Sequence, residues 1–306
     1  MKRKLETSEL IFKVFSYFFL TLFALICLYP FIYVISSAIS EKTAVDYNQI
    51  IILPHGIQFH AFADILLNDA RFWTSYANTL YVTFYGTIFS LVVSIIGAYA
   101  LSKPRLMFKK GFNFILVFTM WFSAGVVPQF KNYESTRKIF DSIANAIWGL
   151  QTGDDKVLIV VAMGMAAMNI ILLRNAFEGV PKEIEEAAIV DGATEGQILT
   201  KVFIPMSKST IATVGLFFGV SRWNGYFWAQ RMTRDPNDWP LQVYIKDTLN
   251  YALGVTDPDF PGFSTLYADN SLVYAMVICA IIPILIIYPY IQKYFAKGVN
   301  MGGVKE

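Results

Sequence analysis

The chain has 306 residues, 55% of them hydrophobic and 16% charged, with a mean hydropathy of +0.47. Apolar content at that level, drawn out in long runs, excludes a water-soluble domain and leaves an all-α, polytopic membrane protein. The net charge of +2 selects no partner by itself, because in a membrane protein the side on which charges sit decides what they do, and no nucleic-acid partner is expected.

Residues 1–13 carry Lys2, Arg3, Lys4 and Lys13, and the apolar run that follows, 14–39, is longer than the roughly 7–15 residues of a signal-peptide core. It is expected to be an uncleaved first span with its N-terminus in the cytoplasm. A polar segment, 40–71, holds both histidines, His55 and His60. With no Cys or carboxylate grouped around them they fit a plain loop better than a metal site, and no metal is expected. Cys27 and Cys279 lie far apart inside apolar runs and indicate no disulfide framework. The second span, 72–101, is free of charge and carries Asn78, Thr79 and Thr83 as a polar seam. It ends at the basic turn Ser102-Lys103-Pro104-Arg105, which with Lys109 and Lys110 belongs on the cytoplasmic side. A third span is predicted over 112–130, then a polar connection with an amphipathic piece near 139–148. A fourth is predicted over 157–177, where Ala162 and Ala166 permit close helix contact.

Span four leads into 181–204, a polar and helix-forming island in the lipid-soluble chain. Pro181 suits the first position of a helix, Glu183, Glu185 and Glu186 suit the positive end of its dipole, and Gly192 is a stop. Thr194 and Gln197 then make a capping box for a second short helix reaching about Val202. The spacing predicts a helix-turn-helix at the membrane surface. Ile184, Ala187 and Ala188 on one face of its first helix would let another protein come close to the backbone.

Glu186-Ala187-Ala188, then Gly192, then Val202-Phe203-Ile204-Pro205 closely resembles the EAA loop of ABC-importer permeases, where Glu-Ala-Ala, Gly and Ile-x-Leu-Pro stand at these spacings. Val202 and Ile204 depart from that pattern conservatively. The resemblance implies that Glu185, Glu186, Ala187, Ala188, Asp191, Gly192, Ala193 and Pro205 form a cytoplasmic coupling loop that fits a cleft in an ATP-hydrolysing subunit.

Pro205 is expected to start the fifth span, 205–229, which carries Gly215 and Gly219 in GxxxG spacing. A polar, aromatic connection, 230–270, precedes the sixth span, 271–294, in which Pro283 and Pro289 are tolerated where neighbours or water satisfy the freed carbonyls. The basic tail, 295–306, stays inside. Its Lys297-Gly298, Gly302-Gly303 and Val304-Lys305 resemble the end of one permease of the maltose-type carbohydrate uptake branch, which implies a tail reaching between the ATPase subunits. Glu306 stands where Gly is common. Leu172-Leu173-Arg174-Asn175 and Trp223-Asn224 also fit this branch, so the resemblance covers essentially the whole chain, which is most similar to the subgroup importing complex or plant-polysaccharide oligosaccharides. Six spans with an inside N-terminus place fifteen of the 25 Lys+Arg and nine of the 23 Asp+Glu on the cytoplasmic side, a net +6 inside against −4 outside. That bias agrees with the orientation.

A proton-coupled carrier needs an ionisable group within the bilayer, and the charge-free runs 72–101, 112–130, 157–173 and 272–292 offer none. Arg222 is the exception, seventeen residues beyond Pro205 and therefore roughly 25 Å along the helix. It has two readings, snorkelling or pairing with a neighbour, or contact with an acidic or hydroxyl-rich solute. No phosphate-binding Gly-rich loop is present, so ATP and Mg belong on a partner and no catalytic residue or cofactor is expected here. Sugars ask for aromatic platforms beside amides, and Trp121, Gln129, Asn169, Trp223, Asn224 and Tyr226 are candidates; each also suits plain helix packing. The resemblance implies one of two permease subunits in the bacterial inner (cytoplasmic) membrane. It would work with a second homologous permease, two copies of an ATP-binding subunit and an extracytoplasmic solute-binding protein. The alternatives are an importer of a non-sugar solute, or an integral-membrane enzyme or stand-alone carrier; the enzyme would need clustered His, Asp or Glu at membrane depth.

Overall fold

The computed structural model describes residues 7–122, 124–148, 155–162, 164–254 and 266–298; Gly302, Gly303, Val304 and Lys305 lie outside the described residues. Among the described residues all regular structure is helical. Among the described residues three helical stretches are long and apolar enough to cross a membrane, Ser8–Ala38, Ala70–Ser102 and Asp269–Pro289, and the bent pair Glu195–Met206 with Lys208–Trp223 passes the same test taken together. The three lie in α1 (Thr7–Ala38), α4 (Ala70–Ser102) and α15 (Asp269–Gly298). Helix α15 continues through Pro283 and Pro289, and α1 through Pro30.

Elsewhere the apolar runs are interrupted. The third predicted span is α5 (Lys109–Trp121), a break, and the start of α6 (Val126–Trp148), with Gly125 at φ +82° in the break, where an L side chain would be strained. The fourth divides into α7 (Asp155–Ala162) and α8 (Ala167–Glu178). Gly164 fills the gap because a Cβ there would come within 2.9 Å of the Phe89 ring and 2.8 Å of the Val161 carbonyl oxygen. The fifth comprises α11 (Ile204–Met206), α12 (Lys208–Trp223) and α13 (Tyr226–Met232), with a bend of 86° between the segments Glu195–Met206 and Lys208–Trp223. Pro205 therefore lies before the bend, not at the start of the long helix. Its missing N–H and the π-helical turn Leu199–Phe203 ahead of it both loosen the backbone ladder there.

The chain divides into two units, 1–72 with 245–282, and 73–244 with 283–306. In the first, α2 (Lys42–Asp46) and α3 (His60–Ala63) flank a loop pinned by Ser40, whose Oγ donates to the Ser36 carbonyl (2.6 Å) and accepts from the His55 N–H (3.1 Å). Ala44, Val45, Ile50 and Ala268 form its small core. The Tyr267 hydroxyl donates to Asp64 Oδ2 at 2.8 Å, and burial with that acidic neighbour pushes the phenol above its ordinary range. His55 and His60 are both exposed, and among the described residues no group of metal-ligating side chains forms.

Among the described residues, two buried clusters of the second unit bear on the site. One gathers Ile95, Ala98 and Tyr99 of α4, Ile170, Leu173 and Phe177 of α8, Ile198, Phe203, and Val214 and Phe218 of α12. The other gathers Val82, Leu158, Ile159, Ala229, Met232 and Val243, the last from α14 (Leu241–Ala252). Helix α4 contributes to both, and at ~1.5 Å per residue its 33 residues extend about 50 Å.

Candidate functional site

The polar island folds as two helices, α9 (Lys182–Val190) and α10 (Glu195–Ile198). Helix α9 ends in a Schellman closure: Gly192 adopts φ +78°, its N–H donates to the Ile189 carbonyl, and the Ala193 N–H donates to the Ala188 carbonyl, both at 3.0 Å. The capping box is complete, with the Gln197 N–H on Thr194 Oγ1 and the Thr194 N–H on Gln197 Oε1 at 2.8 Å. All four bonds bridge neighbours in sequence, so the elbow's shape is locally encoded.

Its two faces differ. Ala188, Ala193, Leu199 and Val202 pack against the α4/α8/α12 core. Glu183, Glu186, Ala187 and Val190, three and four residues apart, all face outward, Val190 with 86% of its surface exposed. The structure thus separates Ala187, outward, from Ala188, inward. Of the expected coupling residues Glu186, Ala187, Asp191 and Gly192 are exposed, and Glu185 is turned half inward.

What holds Glu185 is the basic turn after α4. Lys103 Nζ donates to Glu185 Oε1 at 2.6 Å and sits 4.2 Å from the ring centroids of both Tyr99 and Phe203. Tyr99, Phe177 and Phe203 meet edge to face, with centroids 5.1–6.4 Å apart. Further along the turn Arg105 pairs with Glu195, which also accepts from the Tyr99 hydroxyl at 2.6 Å, and Lys109 Nζ donates to Glu178 at 2.9 Å. The exposed pairs contribute about 0–1 kcal/mol each, whereas a desolvated cation on aromatic faces is worth ~2 kcal/mol. Sequence reasoning used Lys103, Arg105 and Lys109 only to orient the chain. The signal available was complementary charge, a basic 102–110 against an acidic 178–195.

Arg222 is buried, with 5% of its surface exposed, and its guanidinium donates to the Ile159 carbonyl (2.5 Å), the Val160 carbonyl (3.1 Å) and Ser90 Oγ (3.0 Å). Ile159 and Val160 lie in the last turn of α7, whose carbonyls have no partner within the helix, so the cation caps the negative end of α7. Of the two readings, the structure fits pairing with neighbours, here in the form of an internal cap. Gly86 makes room for it, since a Cβ there would lie 3.0 Å from Arg222 Nε.

The other pathway candidates do not form one group. Trp223 is buried edge to face with Tyr76 (6.0 Å), its Nε1 without a hydrogen bond. The exposed Asn224 caps α12 through the Val220 carbonyl (3.0 Å), and Tyr226 packs on the Val82 core. Asn169 is buried at the start of α8, Gln129 is half-buried, and Trp121 is 84% exposed at the end of α5. Around Tyr226 the structure adds aromatics that sequence reasoning did not select: Tyr133, Trp228 and Trp239. Ionic and backbone ties surround them: Lys156–Asp238 at 3.1 Å, Arg234–Glu134 at 2.8 Å, and Asn78 Nδ2 to the Asn237 and Trp239 carbonyls at 2.7 and 3.2 Å. Of the expected tail contacts, Lys297 and Gly298 fall at the end of α15.

Comparison with known proteins bears on this arrangement. Residues 6–301 match the family described as binding-protein-dependent transport system inner membrane component. The chain is 32% identical to the polygalacturonan/rhamnogalacturonan transport system permease protein YtcP of Bacillus subtilis (strain 168), over 96% of this chain and 98% of that one. It is 29% identical to Protein LplC of the same organism, over 96% and 95%. Among solved structures it resembles a chain of a bacterial ABC transporter involved in the import of the acidic polysaccharide alginate, at 39% identity and a TM-score of 0.81, covering 96% of this chain and 100% of that one. With a match running through every helix described above, the elbow is part of a transport subunit: this chain belongs to the inner-membrane permeases of binding-protein-dependent ABC importers.

Proposed function

We propose that the chain is one of two transmembrane subunits of an ATP-driven oligosaccharide importer, and that α9 is its coupling helix. It pairs with a homologous permease, sits on two copies of an ATP-binding subunit that carries ATP and Mg, and takes its solute from an extracytoplasmic binding protein. In this reading the chain makes six spans with both termini in the cytoplasm. The helix pairs α5/α6, α7/α8 and α12/α13 serve as interrupted crossings beside α1, α4 and α15, and the tail from Lys297 to Lys305 reaches towards the ATPase pair.

One observation carries the coupling assignment: an exposed face of Glu183, Glu186, Ala187 and Val190 on a short helix whose opposite face is anchored in the core. A face of that kind, on a helix closed at its C-terminus and free on the outside, suits a rigid lever. Closure of an ATPase pair would move the elbow as a body and rock the helices attached to it. The solute assignment draws on the relatives: a polygalacturonan/rhamnogalacturonan permease and a chain of an alginate importer both concern acidic polysaccharides. Uronate-containing oligosaccharides are therefore the proposed class.

Two experiments test the reading. Glu186→Lys reverses charge on the exposed face without touching an internal bond, so the variant is expected to insert normally and yet to lose the ATPase on purification. Retention of a fully active ATPase by that variant defeats the coupling assignment. Calorimetric titration of the cognate external protein with oligogalacturonate and with a neutral xylo-oligosaccharide tests the solute class, and selective binding of the neutral sugar defeats it.

A further inference from the structure

We propose that Lys103 is a positioning residue that clamps α9 to α4, so that the coupling elbow and the second span move as one body. The proposal rests on the coupling role assigned to α9 above. A lysine in a polar turn ordinarily places its ammonium in water. Lys103 does not: 6% of its surface is exposed although Pro104 and Arg105 beside it are exposed. Its ammonium closes a box made by Glu185 of α9 at 2.6 Å and the rings of Tyr99 of α4 and Phe203 of the π-helical turn, each at 4.2 Å. One cation thus joins the end of α4 to both sides of the elbow, with Tyr99 on Glu195, Arg105 on Glu195 and Lys109 on Glu178 as flanking ties.

The covalent joints of the elbow are its weaker attachments. Towards span four the helix stops at Glu178 and resumes at Lys182 through Gly179; towards span five it bends by 86° before Lys208. Displacement of α9 is absorbed at those joints unless further attachments bypass them, and the Lys103 box is the charged one, beside the apolar packing of Ala188 and Ala193. Helix α4 then carries the motion onward: Ser90 accepts from Arg222 at 3.0 Å, and Asn78 and Thr79 hold the backbone of 237–241, with Thr79 Oγ1 accepting from the Leu241 N–H at 2.7 Å. Sequence connectivity alone assigns the lever to spans four and five; the geometry adds span two to them.

The test uses the assembled importer in nanodiscs, with Cys27 and Cys279 replaced by Ser and spin labels on Ile189→Cys of α9 and Ile96→Cys of α4, both exposed positions. The parent is expected to show one narrow distance that is the same without nucleotide and with ATP and vanadate. Lys103→Met keeps the bulk and removes the charge, and Glu185→Gln removes the partner charge; both are expected to lose the narrow distance and to make it depend on nucleotide. Lys103→Arg keeps the cation and is expected to restore the parent distribution, which a role in packing alone does not explain. A Met variant with the parent's narrow, nucleotide-independent distance overturns the clamp, and if that variant does not accumulate the Gln variant decides. The labels lie within one chain, so the clamp can stand even where the chain purifies without an ATPase, and that second result would count only against the coupling assignment.

Discussion

Gly192 shows what one residue contributes to the elbow. At φ +78° the backbone is in the left-handed region, which costs an L side chain about 1–2 kcal/mol. A Cβ added there meets nothing within 4 Å, so Gly192→Ala changes backbone conformation and little else. The expected result is a loss of about 1 kcal/mol in the stability of the α9 closure, with Gly192→Asn losing less because Asn tolerates this region. Hydrogen exchange at the Gly192 and Ala193 amides of the purified chain reads it, and unchanged exchange in the Ala variant would remove the Schellman closure from the account. Gly192→Pro goes further, because proline deletes the N–H that bonds the Ile189 carbonyl and cannot take a positive φ. Lys103 is the opposite kind of residue. Its importance comes from Glu185, 82 positions away, and no local pattern announces it.

The same contrast decides which elements were legible in the sequence. Helix α9, its stop at Gly192 and the Thr194–Gln197 box were readable because each depends on residues within four or five positions. The long apolar helices α1, α4 and α15 were readable from hydropathy. The breaks within the stretches predicted as spans three, four and five were not, since a hydropathy window measures how apolar a stretch is and says nothing about whether its backbone bonds continue. What permits the fourth break is Arg222, 63 residues from the Ile159 carbonyl it caps. Removing it tests that role. Arg222→Met leaves the Ile159 and Val160 carbonyls without their donor inside the protein, and an orphaned buried acceptor costs about 1–3 kcal/mol. Arg222→Lys supplies a single ammonium where the guanidinium reaches three acceptors, so only part of the loss is recovered. The expected order of thermal stability in detergent is parent, Lys, Met. If Met is as stable as the parent, the α7 end is satisfied by something other than the cation.

For the whole molecule the question is which way the elbow faces. Helix α1 has none of its most apolar window buried within the chain, against 39% for α4 and 39% for α15, so its surface asks for lipid or another subunit's helices. Such a helix sets no orientation through packing, which leaves the flanking charge to do so. In the proposed six-span arrangement, the charge bias of +6 against −4 goes with the turn at Lys103 and the acidic elbow on the cytoplasmic side together. That joint placement is physically consistent, because Lys103, Arg105 and Lys109 are already paired with Glu185, Glu195 and Glu178, and paired groups share a compartment. Impermeant maleimide applied to intact cells supplies the check. With Cys27 and Cys279 replaced by Ser, a cysteine at Tyr47, 76% exposed in the 40–71 segment, is expected to label from outside. A cysteine at Val190, 86% exposed on α9, is expected to label only once the membrane is opened. Labelling of Val190→Cys in intact cells would put the elbow where no ATP is available, and both the coupling role and the clamp would then lose their source of motion.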